Sequence, residues 1–102
     1  MNFIEPWALV EKYADELVAE LARELPKGHV LYGRPMKAVA RRNDCDDVLF
    51  QVCDASEQFA VVHLTWSGKQ DLHLKFPWTE LFTSFAEFDK NRMQPDALEF
   101  GT

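Results

Sequence analysis

The middle of the chain contains three short runs rich in β-branched and aromatic residues, separated from one another by polar turn-forming residues. The runs span residues 36–42, 48–53 and 59–66, and the links are the sequences NDCDD and DASEQ. Links this short join antiparallel neighbours, because parallel strands need a crossover of a dozen or more residues. The pattern therefore predicts three strands of an antiparallel meander, which the rest of the chain must cover.

The third run predicts which face of the sheet is covered. One set of alternating positions is wholly apolar: Ala60, Val62, Leu64 and Trp66. The other set mixes apolar and polar side chains: Phe59, Val61, His63 and Thr65. Because successive side chains of a strand point to opposite faces, we expect a helix to cover the first set and to bury Trp66 in the core.

The N-terminal part of the chain has the period of an amphipathic helix. Apolar residues recur at steps of three and four between residues 7 and 25, and charged residues, among them Glu20 and Glu24, take the other side. Pro6 suits the first helical position, where its missing N–H would have no partner anyway. Pro26 disfavours helical backbone at the residue before it. The sequence thus predicts a helix over residues 6–24, with Glu20 and Glu24 facing solvent.

The segment after the third run returns to strand-like alternation. Gly68 permits the backbone conformation of a tight turn, and apolar and polar side chains alternate over residues 70–76. We expect a fourth strand that pairs back on the third. An irregular arm is the alternative.

The C-terminal part again has a helical period. Apolar side chains follow Pro77 at helical spacing as far as Arg92, which predicts a second helix. Ser84 and Glu87 match a capping box, so the helix could instead begin at the residue after Ser84, with residues 78–83 forming a separate turn. The tail after residue 93 has no clear period.

Together these elements predict an α+β fold: an N-terminal helix packed on a three- or four-stranded antiparallel sheet meander, with a C-terminal helix on the same face or at the sheet edge. The length of 102 residues suits a single domain over residues 1–102. Along a straight strand Cys45 and Cys53 would lie roughly 26 Å apart. A disulfide needs Cα atoms within about 7 Å, so we expect two reduced thiols.

Charge and hydropathy exclude several classes of partner. The chain has 11 basic and 17 acidic residues, a net charge of -6 with neutral His, which disfavours nucleic acid. It has no run of about 18 apolar residues, and its first residues, MNFIEPW, lack the basic and apolar regions of a signal peptide. We expect a cytoplasmic protein with neither a nucleic-acid nor a membrane partner.

An acidic turn and exposed aromatic residues are the best candidates for contact with a partner. The turn places three aspartates within five residues, but it lacks the Gly and Glu of a calcium loop. It is either a solvated turn or a negative surface for a basic protein. Most aromatic residues should fill the core, while one or two tryptophans could anchor a partner. The predicted partner-binding residues are Asp44, Asp46, Asp47, Trp66, Lys69 and Trp78.

Two histidines suggest an alternative. His63 and His73 would face each other if the fourth strand pairs with the third, but zinc usually needs a third protein ligand. Third-ligand candidates, none at a recognised spacing, are Cys53, Asp54 and Asp71. Gly68 and Lys69 lack the other residues of a phosphate loop, and no catalytic motif is present. We therefore predict no metal, cofactor or catalytic residue.

Two segments resemble a group of short bacterial proteins: VVHLTWSGK and FPWTELFTSFAEFDKNRMQPD. In that group an LTWSGK-type strand and turn precede a P-x-T segment and an aromatic helix that ends in Arg-Met. The group has no established activity, so the resemblance implies a bacterial, cytoplasmic origin and this layout, without assigning a functional residue. In size and acidity the chain is also similar to the immunity proteins that neutralise toxins.

The expected function is that of a non-catalytic protein-binding module, for instance an immunity-like inhibitor of a basic toxin. The alternative is a small-molecule-binding or metal-binding domain, or a small enzyme, that uses His63 and His73. The oligomeric state stays open, and a dimer formed by pairing of edge strands is compatible with the sequence.

Overall fold

The protein consists of an antiparallel sheet with helices on both faces. The structure is a computed structural model, and it describes residues 1–70 and 76–101. Within those residues the sheet has five strands in chain order: β1 (Trp7–Leu9), β2 (Met36–Arg42), β3 (Asp47–Val52), β4 (Phe59–His63) and β5 (Thr79–Phe82). The helices are α1 (Ala14–Glu24), α2 (Phe85–Phe88) and α3 (Gln94–Phe100), with a π-helical segment (Asp89–Met93) between α2 and α3. The predicted α+β fold and antiparallel meander are confirmed, with more strands than expected.

Helix α1 covers one face of the sheet. Its apolar side buries Leu17 and Leu21 against side chains at alternating positions of the strands. The buried sheet residues on this face are Ala38, Val48, Phe50, Val52, Ala60 and Val62, and Leu64 just beyond β4 joins them. The prediction that a helix covers the apolar face of the third strand is therefore confirmed as far as Leu64.

The C-terminal helical segment, residues 85–100, covers the opposite face, so its predicted place on the same face or at the edge is wrong. Phe88 packs edge-to-face on Trp7 and Phe82, with ring centroids 5.1 and 5.7 Å apart. The other buried residues of this cluster are Val39, Ala40, Leu49, Phe59, Val61 and Met93. β3 and β4 thus carry apolar side chains on both faces, and the second face also needs a cover.

Helix α1 begins at Ala14, so the predicted helical start at residue 6 is wrong. The residues before it form β1, which pairs with residues 40–42 of β2. Tyr13 adopts a left-handed conformation with φ 65°, which separates the two elements. Trp7 fits the helical spacing of the sequence, but its side chain is buried on the face of the sheet opposite α1. There its indole Nε1–H donates to Asp96 Oδ2 at 2.9 Å.

Residues 79–82 form strand β5, where a helix or a turn is predicted. β5 pairs with β4 along residues 59–62, and β3 pairs with the other edge of β4. Both edges of β4 are occupied along those residues. The predicted fourth strand over residues 70–76 falls mostly on residues 71–75, which lie outside the described part of the chain.

The C-terminal helical segment begins where the capping box indicates. Helix α2 starts at Phe85, and the N–H of Glu87 donates to Ser84 Oγ at 3.1 Å. The tail, for which the sequence gives no period, continues as α3, with Pro95 in the first turn, where a missing N–H is tolerated. Across the described residues, none of the helices combines the length and the apolar character needed to cross a membrane.

We expect the Phe88→Ala substitution to lower the free energy of unfolding by about 3–5 kcal/mol, because it removes a fully buried ring. Phe100→Ala is the matched control, since it removes the same group from an exposed position in α3 and should change the free energy by less than about 1 kcal/mol. Urea denaturation followed by circular dichroism measures both. Equal effects would contradict the burial of the second face.

Candidate functional site

Hydrogen bonds bring the acidic turn and Trp78 to the same end of the sheet. The N–H of Leu64 donates to Asp46 O at 3.2 Å, and the N–H of His63 donates to Trp78 O at 2.9 Å. These bonds join the β2–β3 turn, the end of β4 and the residue before β5, which are far apart in sequence. The region, which we call the acidic-aromatic end, comprises residues 43–46, 63–69 and 78.

Both predicted tryptophans are exposed at this end. Trp78 exposes 59% of its surface and Trp66 exposes 46%. The prediction that Trp66 lies in the core is wrong, because β4 ends at His63 and the chain beyond Leu64 leaves the sheet. Lys69 is also exposed. We call residues 65–69 the Trp66 loop.

Two buried carboxylates of α1 hold the backbone of the Trp66 loop. The two carboxylate oxygens of Glu24 accept the N–H groups of Thr65 and Trp66, each at 2.8 Å. Glu20 Oε2 accepts the N–H of Gly68 at 3.0 Å. Trp66 has φ 58°, a conformation that is uncommon for residues other than glycine, and these bonds keep it there.

The prediction that these two glutamates face solvent is wrong. Glu20 is 2% exposed and Glu24 is 1% exposed. Charged residues are almost never fully buried without partners. One partner of Glu24, the N–H of Thr65, lies 41 positions later in the chain, so the local sequence does not reveal it. Each glutamate follows a buried leucine, Leu17 or Leu21, by three residues, which places it beside the buried row of the helix. That spacing is the sequence signal that could have indicated burial.

The two buried carboxyl groups have pKa values shifted in opposite directions. Burial, together with the hydrogen bond to Glu20, raises the pKa of Glu24. The hydrogen bond from Glu24 and those from Arg23, whose Nη2 lies 2.8 Å from Glu20 Oε1, outweigh burial and lower the pKa of Glu20. Burial and local contacts thus shift the pKa values of these two neighbouring glutamates in opposite directions.

Asp47, the third predicted acidic residue, is engaged in internal contacts. Its Oδ1 lies 2.7 Å from His63 Nδ1, and its Oδ2 accepts from the Arg92 guanidinium. Arg92 also pairs with Glu80 and Asp96, so it ties β3, β5 and the C-terminal helical segment together. Burial alone would raise the pKa of Asp47, but the hydrogen bonds from His63 and Arg92 lower it.

Asp44 and Asp46 lie on the surface of the turn. Asp44 accepts two hydrogen bonds from Arg42, at 2.8 and 2.7 Å, and this contact lowers the pKa of Asp44. The side chain of Asp46 is exposed. Among the described residues, the turn therefore presents one aspartate that is partly neutralised by an arginine, Asp44, and one that has no such arginine contact, Asp46.

The His63–Asp47 contact resembles the pairs that orient an imidazole for proton transfer, and the His63 side chain is 51% exposed. Cys45, a free thiol in the adjacent turn, is not activated, since burial raises its pKa. His73 and Asp71 lie outside the described residues. Within the described part of the chain, no group of three His, Cys, Asp or Glu side chains could hold a metal ion.

Comparison with known proteins leaves the function open. No family model, curated protein or solved structure matches this chain. The resemblance to short bacterial proteins therefore stays a prediction that rests on the two segments quoted above.

We expect the Asp47→Asn substitution to lower the free energy of unfolding by about 1–3 kcal/mol at neutral pH. The substitution removes the carboxylate that accepts hydrogen bonds from Arg92 and His63. The folded pKa of Asp47 lies below its unfolded value of about 3.9. Its carboxylate therefore stabilises the fold above that pH, and this contribution is lost as the pH falls through the folded pKa.

Urea denaturation of the Asp47→Asn variant from neutral to acid pH checks this expectation. The difference in unfolding free energy between wild type and variant should shrink as the pH falls. Asp46→Asn, the same chemical change at an exposed position of the same turn, should follow the wild type throughout. A difference that does not change with pH would contradict the assignment of Asp47.

Proposed function

We propose that this protein is a non-catalytic protein-binding module that docks on a basic protein surface through its acidic-aromatic end. An immunity-like inhibitor of a basic toxin is the form of module that we favour, and it would act by covering the surface of its target. The proposal is carried by one observation: exposed tryptophans and exposed aspartates occur together at one end of the sheet.

The exposed tryptophans support a binding role. Tryptophan is enriched among the residues that dominate binding energy in protein interfaces. A chain of 102 residues needs most of its large aromatic side chains to fill its core. The Trp66 backbone is already fixed by Glu24, so little conformational entropy would be lost on binding. An aromatic anchor on a fixed backbone favours affinity.

The charges support a basic partner. The chain carries a net charge of -6, and Asp44 and Asp46 project from the turn at the same end as the tryptophans. Carboxylates attract Lys and Arg during diffusional encounter, and the face of an indole ring binds the same cations. Lys69 would meet an acidic group at the rim of the contact. In this proposal Asp47 acts indirectly, because its contacts with His63 and Arg92 fix the start of β3.

Affinity capture from the cells of origin tests the proposal. Wild-type protein at low salt should recover a basic protein, and the Trp78→Ala variant should bind the same protein at least about tenfold more weakly, the effect of removing an interface anchor. Tyr13→Ala is the matched control, because it truncates an exposed aromatic residue in the link between β1 and α1. It should bind like the wild type.

Two results would overturn the proposal. The first is recovery of no basic protein by the wild type. The second is a recovered protein that binds the Trp78→Ala and Tyr13→Ala variants equally well, since contact through the acidic-aromatic end requires a difference between them.

A second candidate is a small-molecule or metal-dependent activity at His63 and His73. The exposed imidazole of His63, oriented by Asp47 at 2.7 Å, favours it. Elemental analysis of the purified protein separates the candidates, because stoichiometric zinc would favour the second and metal-free protein that still binds its partner would favour the first.

A further inference from the structure

The outer edge of β5 carries backbone groups that face away from the sheet. β5 is the last strand in the sheet order, and the N–H of His63 on β4 donates to Trp78 O. In an antiparallel pair the residues that bond to the neighbour alternate, so residues 78, 80 and 82 face β4. The N–H and C=O groups of Thr79 and Leu81 therefore point outward. Across residues 1–70 and 76–101 these four groups have no hydrogen-bond partner.

The strand at the other edge of the sheet, β1, offers fewer such groups. The N–H of Asn43 donates to Pro6 O, so by the same alternation Trp7 and Leu9 face outward. The outward N–H of Trp7 donates to Ile4 O at 2.9 Å in the preceding turn. In the described part of the chain, β1 thus leaves one residue, Leu9, with both backbone groups open. β5 leaves two, which is the number that a symmetric pairing of two strands needs.

The side chains of β5 do little to protect this edge. Edge strands are commonly shielded from pairing by free charges, prolines or bulges. β5 contains no proline, and its register with β4 is regular. Its one charged side chain, Glu80, is bound by Arg92. Leu81 packs against the core beneath α1 but is only partly buried. A further strand at this edge would cover Leu81 and satisfy the four open groups.

We propose that β5 pairs with β5 of a second copy of this chain, antiparallel about a two-fold axis at Glu80. This register places Thr79 of each copy opposite Leu81 of the other, with two hydrogen bonds in each of the two pairs. All four open groups of one copy then bond to the same four groups of the second, which is the self-complementarity of a two-fold interface. The two Glu80 side chains meet at the axis, where each is offset by the Arg92 of its own copy.

The dimer goes beyond the proposed function and does not depend on it. The paired residues are 79–81, so Trp78 and the rest of the acidic-aromatic end lie outside the pairing. Because the two β5 strands run in opposite directions, the two acidic-aromatic ends lie at opposite ends of the joined sheet. The dimer therefore presents two docking surfaces, and a target with two basic sites would bind it more tightly than the monomer. The pairing is short, so the dimer dissociates on dilution.

Sedimentation of the isolated protein over a concentration series tests the dimer. The wild type should change from monomer to dimer as the concentration rises. Leu81→Pro removes an outward N–H that β4 does not use, so this variant should fold, as circular dichroism checks, and should lose the dimer. Leu9→Pro is the matched control, because it makes the same change at the outward position of β1, and it should dimerise like the wild type.

Cross-linking tests the register, and it decides if Leu81→Pro fails to fold. In a chain that carries Cys45→Ser and Cys53→Ser, Glu80→Cys would place two thiols on the axis with Cα atoms about 4.5 Å apart, within the range of a disulfide. Mild oxidation should link this variant into a covalent dimer, whereas Glu16→Cys, at an exposed position of α1, should stay monomeric.

Three results would overturn the dimer: a wild type that stays monomeric up to its solubility limit, equal dimerisation of the two folded proline variants, or equal cross-linking of the two cysteine variants. None of these measurements uses a binding partner. Their failure therefore leaves the affinity-capture test of the proposed function intact, and the failure of that test leaves the dimer intact.

Discussion

The sheet is apolar on both faces, and the rest of the structure depends on that constraint. β3 and β4 present Phe50 and Val62 to one side and Leu49 and Val61 to the other. Either face would be a large exposed apolar patch without a cover, so the chain supplies α1 for the first and the C-terminal helical segment for the second. With both faces occupied, the ends and edges of the sheet are left for a partner. The acidic-aromatic end is where tryptophan and aspartate side chains are exposed together.

Polar contacts fix the two covers in place. On the second face, Arg92 binds Asp47, Glu80 and Asp96, and Asp96 also accepts from the Trp7 indole. On the first face, the glutamates at the end of α1 accept the backbone of the Trp66 loop. Buried and partly buried charges such as these are tolerated when each is paired and hydrogen-bonded. Both networks meet the acidic-aromatic end, which explains how a small domain can hold exposed side chains there in defined positions.

Local sequence signals predicted the parts of the fold that depend on local chemistry. Alternation with short polar links located β2, β3 and β4, although the predicted third strand runs three residues past the end of β4. Ser84 with Glu87 located the start of α2. The position of the acidic turn was also predictable, because the residues NDCDD separate two strand-like runs.

The errors lie where distant segments decide the outcome. Trp7 fits a helical row equally well. Pairing with Arg42 of β2 places it in a strand, and its side chain is buried against Phe88 and Asp96, more than 80 residues away in the chain. The alternation of β4 could not show that the strand ends at His63, which leaves Trp66 outside the core. Glu20 is buried because a loop from elsewhere caps it, and its spacing from Leu17 gave only a weak indication of this.

The salt dependence of association with the recovered partner tests most directly whether the acidic-aromatic end docks on a basic surface. The account predicts that the association rate constant of the wild type falls at least about tenfold as salt is raised from low to physiological concentration, and that Asp46→Asn weakens this dependence. Glu16→Gln, the same change of charge on the exposed side of α1, should leave it intact. A rate constant that does not respond to salt, or that responds equally in both variants, would contradict the account.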